Sequence, residues 1–178
     1  MLIGEFTCLR AVENLDLELL RDWRNIQDFR LNFREHRELS MENQKKWFDM
    51  LSNSPNDFMF VILDRATNEP IGACGLLYTN WIIRSADFSF YIGKDNLYID
   101  EKYSEDAVKV LLDYGFNVLN LHKIWMELYE YDVKKLQFFQ EKFNFRIDGR
   151  LRSNVFAKGK YWDSYIISLL VSDNIFKQ

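Results

Sequence analysis

The first half of the chain changes between the spacing of a strand and that of a helix. Residues 5–11 largely alternate apolar and polar side chains, which predicts a strand. The segment that follows has an apolar face at helical spacing, formed by Leu15, Leu19, Leu20 and Trp23. Ser40 predicts the N-cap of a second helix. Residues 58–63, 71–78 and 86–92 then predict three strands, the first two forming a hairpin.

The second half repeats the alternation of helix and strand. Residues 103–119 have one apolar stripe at helical spacing, and residues 123–131 are again typical of a strand. Asp132 predicts the cap of a further helix, whose buried side holds Leu136, Phe139 and Phe143. Two last strands are expected within 145–170, joined by a glycine-containing turn at 157–160. This order predicts a mixed α/β (α+β) domain on one twisted, mostly antiparallel sheet.

The composition is that of one domain of ordinary size. The 178 residues predict a single domain spanning 1–178. The net charge of −4 disfavours nucleic acid as the main partner, because phosphate contacts require clustered Lys and Arg. The basic segment 146–160 is interpreted either as a solvated hairpin or as the rim of an anionic-ligand site.

Targeting and redox features predict a cytoplasmic location. The first ten residues lack the pattern of a signal peptide, and no apolar run approaches the length of a membrane span, so no membrane partner is expected. Cys8 and Cys74 do not have metal-ligand spacing, and His36 and His122 are the only histidines. No metal site is therefore expected.

Several short segments indicate a family when they are taken in order. They are LRDWRN (20–25), SMENQ (40–44) with WF (47–48), IGACGL (71–76), ADFSFYIG (86–93), LDYGFN (112–117), LNLHKI (119–124), GRLR (149–152) and GKYWDS (159–164). Because it has all these segments in this order, the chain resembles the GNAT N-acetyltransferase superfamily. The resemblance is in particular to its RimJ/RimL-like branch of ribosomal-protein and nucleotide-sugar N-acetyltransferases. The resemblance implies about seven strands, about four helices on the two sheet faces, a splayed central strand pair, and acetyl-CoA as acyl donor.

The resemblance also implies where the donor binds. Backbone amides of Phe90, Tyr91 and Ile92 are expected to face the splay and contact the pantetheine arm and acetyl carbonyl; the alternative is an ordinary core strand. In the family a glycine-rich turn opens the long helix and binds the pyrophosphate. Here Asp100 and Lys102 replace those glycines. The acidic pair Asp100–Glu101 repels phosphate. Positive charge on Lys102 and contacts from Tyr103 and Ser104 are expected to compensate.

Two further positions depart from the family pattern. Asp132 stands where many relatives have an asparagine that contacts the cofactor arm. Phe139, or Gln140 under a one-residue shift, stands where many have a tyrosine that protonates the departing thiolate. Asp132 and Phe139 are still expected at the cofactor. Because a thiolate leaves readily without help, the loss of that tyrosine need not abolish activity.

Asp87 and Tyr91 are the predicted catalytic residues. A free amine is mostly charged at neutral pH, with a pKa of about 10, so acetyl transfer requires a group that accepts its proton. Asp87 stands where relatives often have an acidic residue, and it shares one strand face with Ser89 and Tyr91. The alternative for Asp87 is a solvated or ion-paired carboxylate.

The acceptor is left open among three hypotheses. The stretch 23–37 and the loop 78–84 are expected to border the acceptor groove, where Arg30, Arg34, Arg37 and Arg84 could bind a phosphate-bearing or acidic acceptor. Among these segments, Arg30, Trp81 and Arg84 are the predicted acceptor-binding residues. The first hypothesis is acetylation of a small amine such as an amino sugar nucleotide, and the second is acetylation of protein N-termini. The third is a GNAT-fold binding module that no longer turns over acetyl-CoA. The resemblance is also compatible with a homodimer.

Overall fold

The structure, a computed structural model, describes residues 1–174. Its strands form one eight-stranded sheet in the order β1-β2-β3-β4-β5-β6-β8-β7. The strands are β1 (Leu2–Ile3), β2 (Thr7–Ala11), β3 (Phe58–Asp64), β4 (Pro70–Asn80), β5 (Ser85–Ile92), β6 (Lys123–Tyr129), β7 (Arg146–Ala157) and β8 (Lys160–Leu170). The predicted fold class, a mixed sheet with a splayed central pair, is confirmed.

Five helices accompany the sheet. They are α1 (Leu17–Asn25), α2 (Gln27–Arg30), α3 (Met41–Asn53), α4 (Tyr103–Asp113) and α5 (Val133–Phe143). Ser40 caps α3 as predicted, because its hydroxyl accepts the Asn43 amide while the Asn43 side chain accepts the Ser40 amide. Asn144 ends α5 in the left-handed conformation, with φ 58°. Within residues 1–174, no helix is long and apolar enough to cross a membrane.

The structure has one strand and one helix more than the sequence predicted. Strand β1 has two residues, which is too few to show a periodicity. Helix α2 has four residues and lies in the Arg-rich stretch that gave no helical pattern. The helix predicted over 103–119 is regular up to Asp113 and continues through a wider turn, Tyr114–Val118.

The centre of the sheet contains its one parallel neighbour pair among the described strands. Strand β5 pairs with β6 at Ser85–Asp87 against Lys123–Trp125, and all other neighbouring strands run antiparallel. Beyond Asp87 and Trp125, no residue pair in the described chain joins β5 to β6. The two strands therefore diverge over the second half of β5.

Strand β5 divides the core into two layers because its side chains alternate between the sheet faces. Phe88 and Phe90 contact the Phe139 ring of α5. On the other face, the Tyr91 ring contacts Trp23 of α1. Asp87 and Ser89 share that second face, as the sequence pattern predicted, so a carboxylate and a hydroxyl lie beside the divergence.

Helix α4 is fixed to the sheet by one carboxylate. Asp106 accepts the backbone amides of Glu5, Phe6 and Thr7 at 2.7–2.9 Å, and the Thr7 hydroxyl at 2.7 Å. Burial raises the pKa of Asp106, but these hydrogen bonds outweigh burial and lower it overall. A lowered native pKa means that the ionised form stabilises the fold.

Asp106→Asn is expected to lower the free energy of unfolding by about 1–3 kcal/mol at neutral pH, since amides lose a charged acceptor. In the wild type this stabilisation is complete above the unfolded-state pKa of about 4 and disappears as the pH falls through the lower native pKa. The variant should therefore show a smaller loss of stability on acidification. Urea titrations at several pH values measure both effects. Asp113→Asn, on the exposed side of the same helix, is the control; equal stability loss in both variants would contradict the role of Asp106.

Candidate active site

Two adjacent cavities lie beside β5, and the first of them includes the place where β5 and β6 diverge. The first, of about 250 Å³, is lined by residues of β5, β6, α5 and the segment between α2 and α3. The second, of about 380 Å³, lies against α1, α3 and the sheet. They share five lining residues, namely Arg24, Glu35, Trp47, Leu77 and Ser89. The divergence therefore opens into a concave surface with room for a small molecule.

Asp87 places a buried carboxylate in the first cavity. One oxygen, Oδ2, accepts a hydrogen bond from Nη1 of Arg34. The Nε of Arg34 lies 3.7 Å from Oε2 of Glu127 on β6, so one guanidinium joins two carboxylates across the divergence. Burial raises the pKa of Asp87, and Arg34 opposes that rise without cancelling it. A carboxylate of raised pKa at a cavity wall is suited to accept a proton.

The side chain of Tyr91 has a packing role. Its ring forms edge contacts with Trp23, Phe29 and Phe33 at centroid distances of 5.4–6.4 Å. Burial raises the pKa of the phenol, which therefore stays protonated at neutral pH. Tyr91 also lines the second cavity. The hydroxyl of Tyr91 is therefore not ionised at neutral pH, and its protonation state does not support the predicted catalytic role.

The Tyr91 amide points away from the divergence. Hydrogen-bonded and non-hydrogen-bonded pairs alternate along an antiparallel ladder. The Gly93 amide donates to the Ile71 carbonyl at 2.9 Å, and Tyr91 lies opposite Ala73 two positions earlier. The Tyr91 amide therefore faces β4, contrary to the prediction that it contacts the cofactor.

Phe90 and Ile92 direct their backbone groups toward the divergence. The Ile92 amide is already used, because it donates to the Tyr98 carbonyl at 2.9 Å while the Tyr98 amide donates back at 2.8 Å. Three backbone amides were predicted to contact the cofactor. Among them, the Phe90 amide is the one that faces the cavity and is not hydrogen-bonded in the way that the Ile92 amide is bonded to Tyr98.

Lys135 of α5 fills part of the divergence. Its Nζ donates to the Phe90 carbonyl at 2.6 Å, and the side chain is buried. Burial lowers the pKa of Lys135 to about 8, and nearby Asp132 opposes the shift. Asp132 is also buried, and its carboxylate accepts the Tyr98 hydroxyl. Asp132 thus lies at the predicted place beside the divergence, but its partner is a side chain of the same protein.

Asp100 occupies the start of α4. Its two carboxylate oxygens accept the amides of Lys102, Tyr103 and Ser104 at 2.8–2.9 Å. The Ser104 hydroxyl donates to the same carboxylate, and Ser104 is completely buried. Ser104 is therefore unavailable to a phosphate, contrary to its prediction. The exposed Lys102 ammonium lies 4.6 Å from the Tyr103 ring centroid.

Phe139 is a core residue and not a cofactor contact. It is completely buried, and its ring contacts Phe88, Phe90, Phe143 and Phe145. The position that carries a tyrosine in many relatives therefore faces the aromatic core in this chain. The predicted cofactor contact of Phe139 is not supported.

The three predicted acceptor residues lie away from the cavities. Arg30 is 3.5 Å from Glu38 in an ion pair. The Trp81 indole donates to Asn56, and Arg84 donates to Asn120. Among residues 1–174, none of Arg30, Trp81 and Arg84 lines either cavity. The arginines that do line them are Arg24, Arg34 and Arg37.

Lys135, Glu127 and Tyr98 are site residues that the sequence interpretation missed. A signal existed for Lys135, because it stands four residues before Phe139 and eight before Phe143 on the buried side of α5. A lysine on such a face is a candidate for a buried, paired amine.

Comparison with known proteins identifies the family. Residues 7–140 match the model of the acetyltransferase (GNAT) domain, and the chain belongs to this family. The class is that of acetyl-CoA-dependent N-acetyltransferases, with acetyl-CoA as the acyl donor. The prediction of the GNAT superfamily is thereby confirmed, whereas its RimJ/RimL-like branch is not shown.

Several of the relatives are spermidine acetyltransferases. The chain is 27% identical to spermidine N(1)-acetyltransferase of Vibrio cholerae over 155 residues, which is 87% of each chain. It is 27% identical to the Escherichia coli K12 enzyme over 86% of this chain and 80% of that one. The crystal structure of the Vibrio cholerae enzyme with CoA and spermine has a TM-score of 0.85 at 26% identity, covering 94% of this chain and 96% of the other.

Proposed function

We propose that this protein acetylates a primary amine of a small molecule, with Asp87 as the general base. The observation that carries the proposal is the buried Asp87 carboxylate at the point where β5 and β6 diverge into a cavity. Its raised pKa makes it a better proton acceptor than an exposed aspartate. Oδ1 is the oxygen left for the amine, because Oδ2 already accepts Arg34.

The charges of the cavities favour an acceptor that also bears an anionic group. Five cationic side chains line the two cavities: Arg24, Arg34, Arg37, Lys46 and Lys135. Lys46 pairs with Glu42, which lies outside the lining, so the excess of positive charge comes mainly from Arg24 and Lys135. Three carboxylates line them, and each has an arginine partner: Asp87 and Glu127 share Arg34, and Glu35 pairs with Arg37. An amino sugar nucleotide presents both an amine and phosphates, so it matches this excess of positive charge.

A polyamine is the second candidate acceptor. The named activity of the relatives from Vibrio cholerae and Escherichia coli favours it. A polyamine would require carboxylates free of arginine partners, which the lining does not offer in this conformation. Protein N-termini, the substrate of the ribosomal-protein branch, are the third class to compare.

An acetyl-transfer assay with a panel of amines tests the proposal. The purified protein is incubated with millimolar acetyl-CoA and a UDP-linked amino sugar, spermidine or a peptide with a free N-terminus. We expect acetylated product by mass spectrometry, fastest with the amino sugar nucleotide. If spermidine is acetylated faster than the amino sugar nucleotide, the acceptor is a polyamine and the proposed acetyl transfer still stands. No acetylated amine in the whole panel would contradict the proposal.

The proposal also covers the cellular location, the domain organisation and the oligomeric state of the protein. We infer a cytoplasmic protein, since Cys8 and Cys74 are buried free thiols rather than a disulfide. We also infer one domain over 1–178, of which residues 175–178 lie outside the described part. A homodimer stays a prediction.

A further inference from the structure

The start of α4 offers backbone amides that a phosphate group would bind. Helix N-termini attract anions because their first amides have no partner within the helix. In this chain the amides of Lys102, Tyr103 and Ser104 all donate to the Asp100 carboxylate. Asp100 also donates its own amide to the Ser104 hydroxyl at 3.0 Å, so the two residues hold each other. The residues present therefore do not fit the pyrophosphate of CoA at this helix end.

The divergence of β5 and β6 is occupied in the same way. Lys135 binds the Phe90 carbonyl, and Tyr98 uses the backbone of Ile92. These groups point into the opening beside the Phe90 amide, and an amide-containing arm entering there would need them. The Lys135 ammonium also lies 5.2 Å from the Tyr98 ring centroid, and the charge of Asp132 favours its protonated form by raising its pKa.

We propose that Asp100 and Lys135 keep the donor site occupied from within, so that CoA binds only by displacing both side chains. The inference rests on the proposed acetyl transfer, whose donor is the acetyl-CoA used by this family. Displacing the two side chains breaks charge-assisted hydrogen bonds of Asp100 at the start of α4 and of Lys135 at the divergence. A pyrophosphate at the helix start would also be repelled by the Asp100 and Glu101 carboxylates. The apparent affinity for CoA is then reduced by the fraction of molecules with an open site.

Titration calorimetry with CoA and with pantetheine, which lacks the pyrophosphate, tests each contact separately. Asp100→Ser keeps a residue that can cap the helix but removes its charge. We expect this variant to bind CoA about tenfold more tightly than the wild type and to bind pantetheine unchanged. Lys135→Ala should bind both ligands more tightly, because the arm common to them enters the divergence.

Asp95→Ser is the matched control, since Asp95 is exposed, lies five residues from Asp100 and undergoes the same change of charge. It should leave both affinities unchanged. Melting temperatures without ligand show that each variant is folded. If Asp100→Ser and Lys135→Ala each gain less than threefold in CoA affinity over the wild type, the inference is wrong. A gain equal to that of Asp95→Ser also overturns it, since general charge would then explain the effect.

Acetyl transfer by the same variants separates this inference from the proposed function. Tighter CoA binding without acetylation of any amine would support the occupied donor site and refute the transferase. If the wild type acetylates an amine and binds CoA as tightly as the variants do, the transferase is supported and the occupied donor site is refuted.

Discussion

Asp87→Asn is expected to lower kcat about a hundredfold at neutral pH, because the asparagine side chain cannot accept the proton of the amine. General-base groups typically contribute about 10²- to 10⁴-fold, and a free amine fraction remains to react without one. The rate of the variant should therefore recover partly as the pH rises toward the pKa of the acceptor. In the wild type, activity should rise with pH through the raised pKa of Asp87. Initial rates of thiol release from pH 4 to 10 measure both profiles.

Two variants control this experiment. Asp148→Asn removes another ion-paired carboxylate, which binds Lys123 and Ser168, and should leave kcat unchanged. Glu127→Gln removes the second carboxylate that contacts Arg34 and tests whether that residue is the base. An undiminished rate of Asp87→Asn at neutral pH would exclude Asp87 from proton transfer.

Phe139→Ala is expected to have the largest effect on stability, a loss of about 3–5 kcal/mol in the free energy of unfolding. Its ring is completely buried and contacts five other phenylalanines, so truncation leaves a cavity that the rigid sheet cannot close. Urea denaturation measures the loss. Phe138→Ala, at a partly exposed neighbour, should cost less. A loss below about 1 kcal/mol for Phe139→Ala would contradict the core assignment.

Phe139→Tyr separates the core role from a catalytic one. The added hydroxyl would enter an apolar cluster, where an unpaired polar group costs about 1–3 kcal/mol. We expect lower stability and no gain in the rate of acetyl transfer. A rise in rate would instead show that the hydroxyl reaches the thiolate.

The sequence predicted the elements whose pattern is local. The alternation along β5 placed Asp87 on one face and Phe88 on the other, since period two is fixed by the backbone. Ser40 was predicted as the start of a helix because capping depends on near neighbours. The divergence itself followed from family resemblance, as no residue pattern states where parallel pairing ends.

The donor and acceptor contacts could not be predicted because they depend on the three-dimensional arrangement. Asp100 was interpreted as repelling a pyrophosphate, whereas its carboxylate takes the place of an anion at the helix start. Lys135 was passed over because its partner, the Phe90 carbonyl, is 45 residues away. Arg84 was assigned to the acceptor by its loop, but that turn directs it to Asn120.

The three residue pairs that join β5 to β6 also bear on how the chain folds. Ser85 and Lys123 are 38 residues apart, whereas the β3–β4 and β7–β8 hairpins close over short turns. Closing the longer loop costs more entropy and is rewarded by few hydrogen bonds. We therefore expect the hairpins to form early and the central seam of the sheet to be completed late.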